Sequence, residues 1–161
     1  MKALTVRQPY ATLICMGIKD IENRTKPTTF RGKIFIHASA KWHERLKTNS
    51  LFTDDQYRNL ACHGKNNGKN LKRYFEPGQI DNLPVSAIIG EVEIIDCVIN
   101  HSSIWAEKTP IKGYTVEGEP LFEHKPIWNW VLANPVLYEK PILNVKGKLS
   151  FWNFDKDILG Y

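Results

Sequence analysis

Cysteine is scarce in this chain and poorly placed to build a framework. Cys15, Cys62 and Cys97 are odd in number, far apart and without a Cys-x-x-Cys pair. That spacing argues against a disulfide scaffold and a zinc site, and reads as free thiols in a reducing, cytoplasmic setting. No apolar run reaches the roughly 20 residues that a bilayer-spanning helix needs, so no membrane partner is expected. A signal peptide's basic start and apolar stretch are missing from the N-terminus. Internal repeats and low-complexity tracts are missing too, which removes solenoids and linker-like segments from consideration. No metal and no cofactor is expected.

What remains is an ordinary globular composition, 42% hydrophobic and 24% charged over 161 residues. Residues 1–161 are long enough for one domain with a real core, and they read as a single, monomeric unit. The net charge of +5 is modest but unevenly spread. Residues 24–73 hold twelve Lys or Arg and only three acids. A basic region on an otherwise acidic body is the electrostatic footprint of a polyanion binder. The plain alternative is a solvated surface that keeps the protein soluble.

The first forty residues organise the chain. Ala3 to Arg7 is β-prone, Pro9 suits a helix start, and Tyr10, Leu13, Ile14 and Gly17 fall at helical spacing. Gly17 is a natural helix stop because it tolerates positive φ. Residues 18–24 alternate, with Ile21 opposite Asp20, Glu22 and Arg24; in residues 33–38, Ile34, Ile36 and Ala38 alternate with Lys33, Phe35 and His37. Ser39 could cap a short helix reaching Leu46, with Trp42 and Leu46 on one face. Thr53 could cap a second helix from Asp54 to His63, with Tyr57, Leu60 and Ala61 as its stripe. Residues 63–69 read as a mobile loop, and Leu71, Tyr74 and Phe75 as a third short helix. Residues 85–99 are the longest strand candidate, with a bend at Gly90. Ser102 to Glu107 reads as a short helix, and residues 108–126 as irregular chain with one edge strand. Trp128, Trp130 and Leu132 share a strand face, while Pro135 and Pro141 confine residues 134–141 to an edge or bulge. The pattern is that of an α+β protein, a small β-barrel with an early helix and helical insertions at 41–84 and 100–125.

Gln8-Pro9-Tyr10-Ala11, the run Gly17-x-Lys19-x-x-Glu22-x-Arg24, Arg31-Gly32 and His37-Ala38 resemble the ASCH domain of the PUA-like superfamily. Ile89 to Val98 is similar to that family's central strand, and Trp128 to Leu132 with Val145 to Trp152 to its closing strands. The resemblance covers about residues 3–40 and 85–155. It implies a PUA-like barrel that binds RNA or another single-stranded nucleic acid, or a nucleotide-like small molecule. Some short relatives are acetylcytidine amidohydrolases that use a lysine, a threonine and a glutamate; another is a ribonuclease. Lys19 matches that lysine, but Glu22 stands where the threonine would be. A carboxylate does not readily replace a hydroxyl nucleophile in amide cleavage.

Three groups could carry chemistry. Lys19 and Glu22 are candidates for proton transfer, with Tyr10 beside them, and Arg24 for a phosphate contact. The alternative is that the same three charges form an ion-pair cluster that fixes helix to sheet. Arg31, Lys33 and Lys41 are rim candidates, and His37 either a ligand contact or a hydrogen-bonded structural residue. Trp42, in the basic segment, is the best placed tryptophan for stacking on a base; Trp128, Trp130 and Trp152 read as core. Three functions stay open: a binder of RNA or a nucleotide-like ligand, a hydrolase acting on RNA or a modified nucleoside in the same cleft, and a protein-interaction module. A cluster with no cavity above it would favour the last.

Overall fold

Residues 1–42, 51–66 and 82–155 are described by the computed structural model. Strand β1 (Lys2–Gln8) runs into helix α1 (Tyr10–Cys15), which returns through β2 (Ile21–Arg24) to β3 (Gly32–Trp42). β1 and β3 pair in parallel, so a crossover must separate them, and α1 with β2 supplies it. Helix α2 (Asp54–Asn66) follows, then β4 (Ala87–Ile99), β5 (Ile111–Tyr114), β6 (Pro120–Phe122), β7 (Trp128–Ile142) and β8 (Phe151–Asn153). Six strands form one mixed sheet in the order β2-β7-β4-β3-β1-β8, and β5 with β6 makes a separate hairpin. The α+β class therefore holds. Among the described residues, no helix is long and apolar enough to cross a membrane.

The expected barrel is not closed. β2 and β8 are the two edges of the sheet, and no ladder joins them among the described residues. Side chains fill the gap instead. Trp130 on β7 stacks on Phe151 of β8 with ring centroids 5.0 Å apart. Arg24 of β2 donates to the backbone carbonyl of Thr5 on β1 at 3.2 Å. Hydrogen-bonded strands lie within about 5 Å of one another, which leaves no room for such side chains between them.

Strand alternation sorts the core onto two faces, as period two requires. Ile34, Ile36 and Ala38 join Leu4, Ile94 and Trp130 on one face. Phe35 joins Ala3, Ile88 and Phe154 on the other. Helix α1 contributes Ala11, Ile14 and Cys15 to the first cluster. Its Leu13 packs with Ile21, Phe52 and Trp105 in a third cluster. Buried Gln8 accepts from the Thr12 amide and hydroxyl, so it caps α1 from the end of β1. All three cysteines are free, and burial pushes the Cys15 thiol pKa up.

Two glycines let α1 and its turn lie close against the sheet. A Cβ at Gly90 would stand 2.8 Å from Cys15 Sγ, and one at Gly17 2.8 Å from Pro135 Cγ. Gly17 has φ +75°, as a helix stop requires. Register shifts between Ile88 and Gly90 mark the expected bend. Pro135 and Pro141 sit in the part of β7 that β2 does not reach, since β2 pairs only with Trp128–Val131. A proline there sacrifices no ladder bond on that side.

Several expected elements differ. Ser39 to Trp42 continue β3 rather than open a helix, because Trp42 pairs with Gln8 of β1. Residues 43–46 lie outside the described residues, as do 67–69 and the third helix around Leu71. Helix α2 runs on through residues 63–66, expected as loop. Thr53 caps it in a capping box: Gln56 donates its amide to Thr53 Oγ1 and accepts from the Thr53 amide. Of its expected stripe only Leu60 is buried; Tyr57 and Ala61 are exposed. Residues 102–105 form a turn, not a helix, and 108–126 hold a hairpin rather than one strand.

Gly17→Val should be costly on two counts, the left-handed backbone and the collision with Pro135. About 2 kcal/mol is expected in denaturant melts. An unchanged midpoint would mean that the turn can rearrange at no cost.

Candidate functional site

The turn after α1 sets the site. Gly17 ends the helix, and the amides of Ile18 and Lys19 both donate to the Leu13 carbonyl. This doubling back aims Lys19 inward, so that only 5% of it is exposed. Its ammonium donates to the Ile21 carbonyl. It also donates to Glu22 Oε2 at 3.2 Å and lies 5.5 Å from the centre of the Tyr10 ring. Glu22 Oε1 pairs in turn with Arg24 Nε at 3.3 Å, without hydrogen-bond alignment. The Arg24 guanidinium rests over Trp130, 5.7 Å from the ring centre. Lys19, Glu22 and Arg24 thus form one chain of alternating charge.

Burial lowers the Lys19 pKa, because desolvation penalises the ammonium; Glu22 opposes this by charge and hydrogen bond, Asp20 adds to that opposition, and Arg24 works against both. Desolvation is the dominant influence, so the lysine gives up its proton more readily than an exposed one. The Tyr10 hydroxyl donates to the Leu51 carbonyl at 3.0 Å and is held there.

Above this chain lies an open cleft of about 1170 Å³. Lys19, Glu22 and Arg24 line it together with Tyr10, His37 and Lys41. Its aromatic wall is Tyr10, Phe52 and Trp105, with Phe52 and Trp105 packed edge to face at 5.9 Å. Trp105 is held by Asn23, whose side-chain amide donates to its carbonyl at 2.9 Å. Buried Asn129 in turn donates to Asn23 Oδ1. Six Lys or Arg line the cleft against two carboxylates, Glu22 and Glu107.

His37 is 1% exposed. Its Nε2 stands 2.8 Å from the Val145 carbonyl. A carbonyl can only accept, so Nε2 carries the proton and Nδ1 is left as an acceptor. Nδ1 has no partner. Desolvation lowers the His37 pKa, opposed by the bond to Val145.

The structure therefore gathers Tyr10, Lys19, Glu22, Arg24, His37 and Lys41 at one cleft and leaves three candidates elsewhere. Arg31 pairs with Asp96 at 2.9 Å, and Lys33 with Glu91 at 3.1 Å; neither lines the cleft. Trp42 does not line it either. The acids that engage Arg31 and Lys33, Asp96 and Glu91, both lie on β4, far away in sequence. Sequence reasoning missed Thr5, Arg7, Lys146 and Lys148, which do line the cleft. The pattern Lys146-Gly147-Lys148 between two strands was a readable signal. Among the described residues there is no group of three or more His, Cys, Asp or Glu able to hold a metal ion.

Breaking a largely buried ion pair costs more than breaking an exposed one, since it strands a desolvated charge. Glu22→Gln should lose about 3 kcal/mol of stability. Arg31→Gln should lose less than about 1 kcal/mol, because Arg31 and Asp96 are both exposed. Paired denaturant melts check the order; equal losses would contradict it.

Comparison with known proteins adds two findings. The family model of the ASCH domain matches residues 4–142. Human "Activating signal cointegrator 1" is 27% identical over 155 residues, covering 96% of this chain. The chain spans 22% of that relative's length.

Proposed function

The chain belongs to the ASCH domain family; from that premise and from the cleft, we propose that it binds RNA or a nucleotide-like ligand. One observation carries the reading: a cleft lined by six cations and two carboxylates lies directly over the Lys19–Glu22–Arg24 chain. An ion-pair cluster with no cavity above it would serve only to fix helix against sheet. Here the cluster is the floor of a space large enough for a nucleotide. Arg24 offers a planar guanidinium suited to phosphate, and Lys41 adds positive charge at the rim. The family resemblance to RNA-binding PUA-like proteins points the same way; the scattered free cysteines fit a reducing cytoplasm, where we take the protein to act as a monomer.

The second reading is a hydrolase acting on RNA or a modified nucleoside in the same cleft. The lowered pKa of Lys19 favours it, because a buried lysine that sheds its proton can serve as a base. Glu22 weighs against it: both its oxygens are engaged by Lys19 and Arg24. The Tyr10 hydroxyl is likewise occupied. A protein-interaction module is the least supported reading, since it leaves the charged cleft without a role.

The experiment is a titration of labelled single-stranded RNA at several salt concentrations. Binding should weaken steeply with salt, with a clearly negative log–log slope from counterion release. No binding at low salt would overturn the RNA reading. In parallel, the protein is incubated with RNA and with acylated and alkylated nucleosides, with and without divalent metal. Turnover slowed roughly 100-fold by Lys19→Met would establish the hydrolase. No acetylcytidine hydrolysis is expected, because Glu22 replaces the family's threonine.

A further inference from the structure

The chain between β7 and β8 crosses the rim of the cleft as residues 144–150. Asn144 has φ 59° and Ser150 φ 60°, a left-handed conformation that turns the backbone sharply at each end. Between them, Val145 is 7% exposed and packs with Phe35 and Ile88. Its amide donates to the Ser86 carbonyl at 2.8 Å, and its carbonyl accepts from His37. Lys146 and Lys148 are exposed, and both line the cleft.

Gly147 lies close against the His37 ring. A Cβ there would stand 2.6 Å from Nδ1 and 3.0 Å from Thr5 Oγ1, so any side chain would push the segment away. Thr5 is the junction. Its hydroxyl donates to the Lys148 carbonyl at 2.9 Å and accepts from Trp152 Nε1 at 3.2 Å. Its own carbonyl accepts from Arg24. One residue of β1 thus ties the basic rim to the guanidinium on the floor.

We propose that residues 145–149 are a strap whose Lys146 and Lys148 hold a phosphate of the bound ligand opposite Arg24, with Thr5 and Gly147 as its positioning residues. The inference rests on the nucleotide-binding reading above. Phosphate is the group that fits, because the strap brings two cations, and a rigid guanidinium is tied to the same β1 residue. The strap's backbone is anchored at three points before any ligand arrives, so little ordering entropy is lost on binding. Thr5 would act through Lys148 and would not itself touch the ligand.

The test compares wild type, the double variant Lys146→Ala/Lys148→Ala, Gly147→Ala, Thr5→Val and Thr5→Ser, with oligouridylate as the probe. Removing both lysines should weaken binding roughly tenfold or more at low salt. It should also reduce the magnitude of the log–log salt slope by about 0.7, since the strap's one phosphate contact to a single strand is lost. Gly147→Ala keeps every charge yet should weaken binding comparably. Thr5→Val should weaken it too, and Thr5→Ser, which keeps both hydroxyl bonds, should restore it. Wild-type binding with an unchanged slope in the lysine variant overturns the strap and leaves the binding reading intact. Equal affinities of Thr5→Val and Thr5→Ser overturn the role of Thr5. No binding by wild type overturns both the strap and the reading beneath it.

Discussion

A lysine ammonium placed inside a protein must find partners or lose its proton. Its effective desolvation cost is several kcal/mol even after relaxation. Lys19 meets that demand with a carbonyl, a carboxylate and an aromatic face. The three partners come from two elements: Ile21 and Glu22 fix the start of β2, and Tyr10 fixes the first turn of α1. The left-handed Gly17 makes the arrangement possible by turning the chain back after α1. Much of the local architecture around the cleft is therefore the set of positions that keeps one buried charge satisfied.

The open seam of the sheet follows from the same region. β2 is only four residues long and pairs with one end of β7. Its Arg24 reaches past its own edge to β1 and lies over Trp130. Trp130 in turn stacks on Phe151. Had β2 paired directly with β8, neither the guanidinium nor the indole would fit between them. The charge chain of the floor and the failure of the barrel to close are two consequences of one layer of bulky side chains.

Local periodicity made much of this legible in the sequence. The split of Ile34, Ile36 and Ala38 from Phe35 was readable because side chains alternate along a strand. The helix stop at Gly17 and the capping role of Thr53 were readable because each needs a particular residue type. What could not be read was pairing across long separations. Arg31 and Lys33 look like rim residues until Asp96 and Glu91, more than fifty positions away, are set opposite them. Ser39 looks like a helix cap until β1 offers its neighbours a ladder partner. The barrel expectation failed similarly, since closure depends on which bulky side chains meet across the seam.

Under the proposed reading, the floor's charge chain also bears on how a satisfied cluster would hold an anion. Lys19, Glu22 and Arg24 together carry two positive charges and one negative, so the cluster keeps an excess of one cation. That excess is held by ion pairs, a carbonyl contact and ring contacts that exist before any ligand arrives. An anion entering the cleft would not have to pull a flexible side chain out of water, a cost that exposed lysines such as Lys41 must meet. Partial neutralisation by Glu22 weakens the attraction at the floor but removes most of the reorganisation. On the proposed reading, a site built this way would favour one geometry of a phosphate over mere proximity to positive charge. That is the division expected where a rigid floor selects and a basic rim attracts.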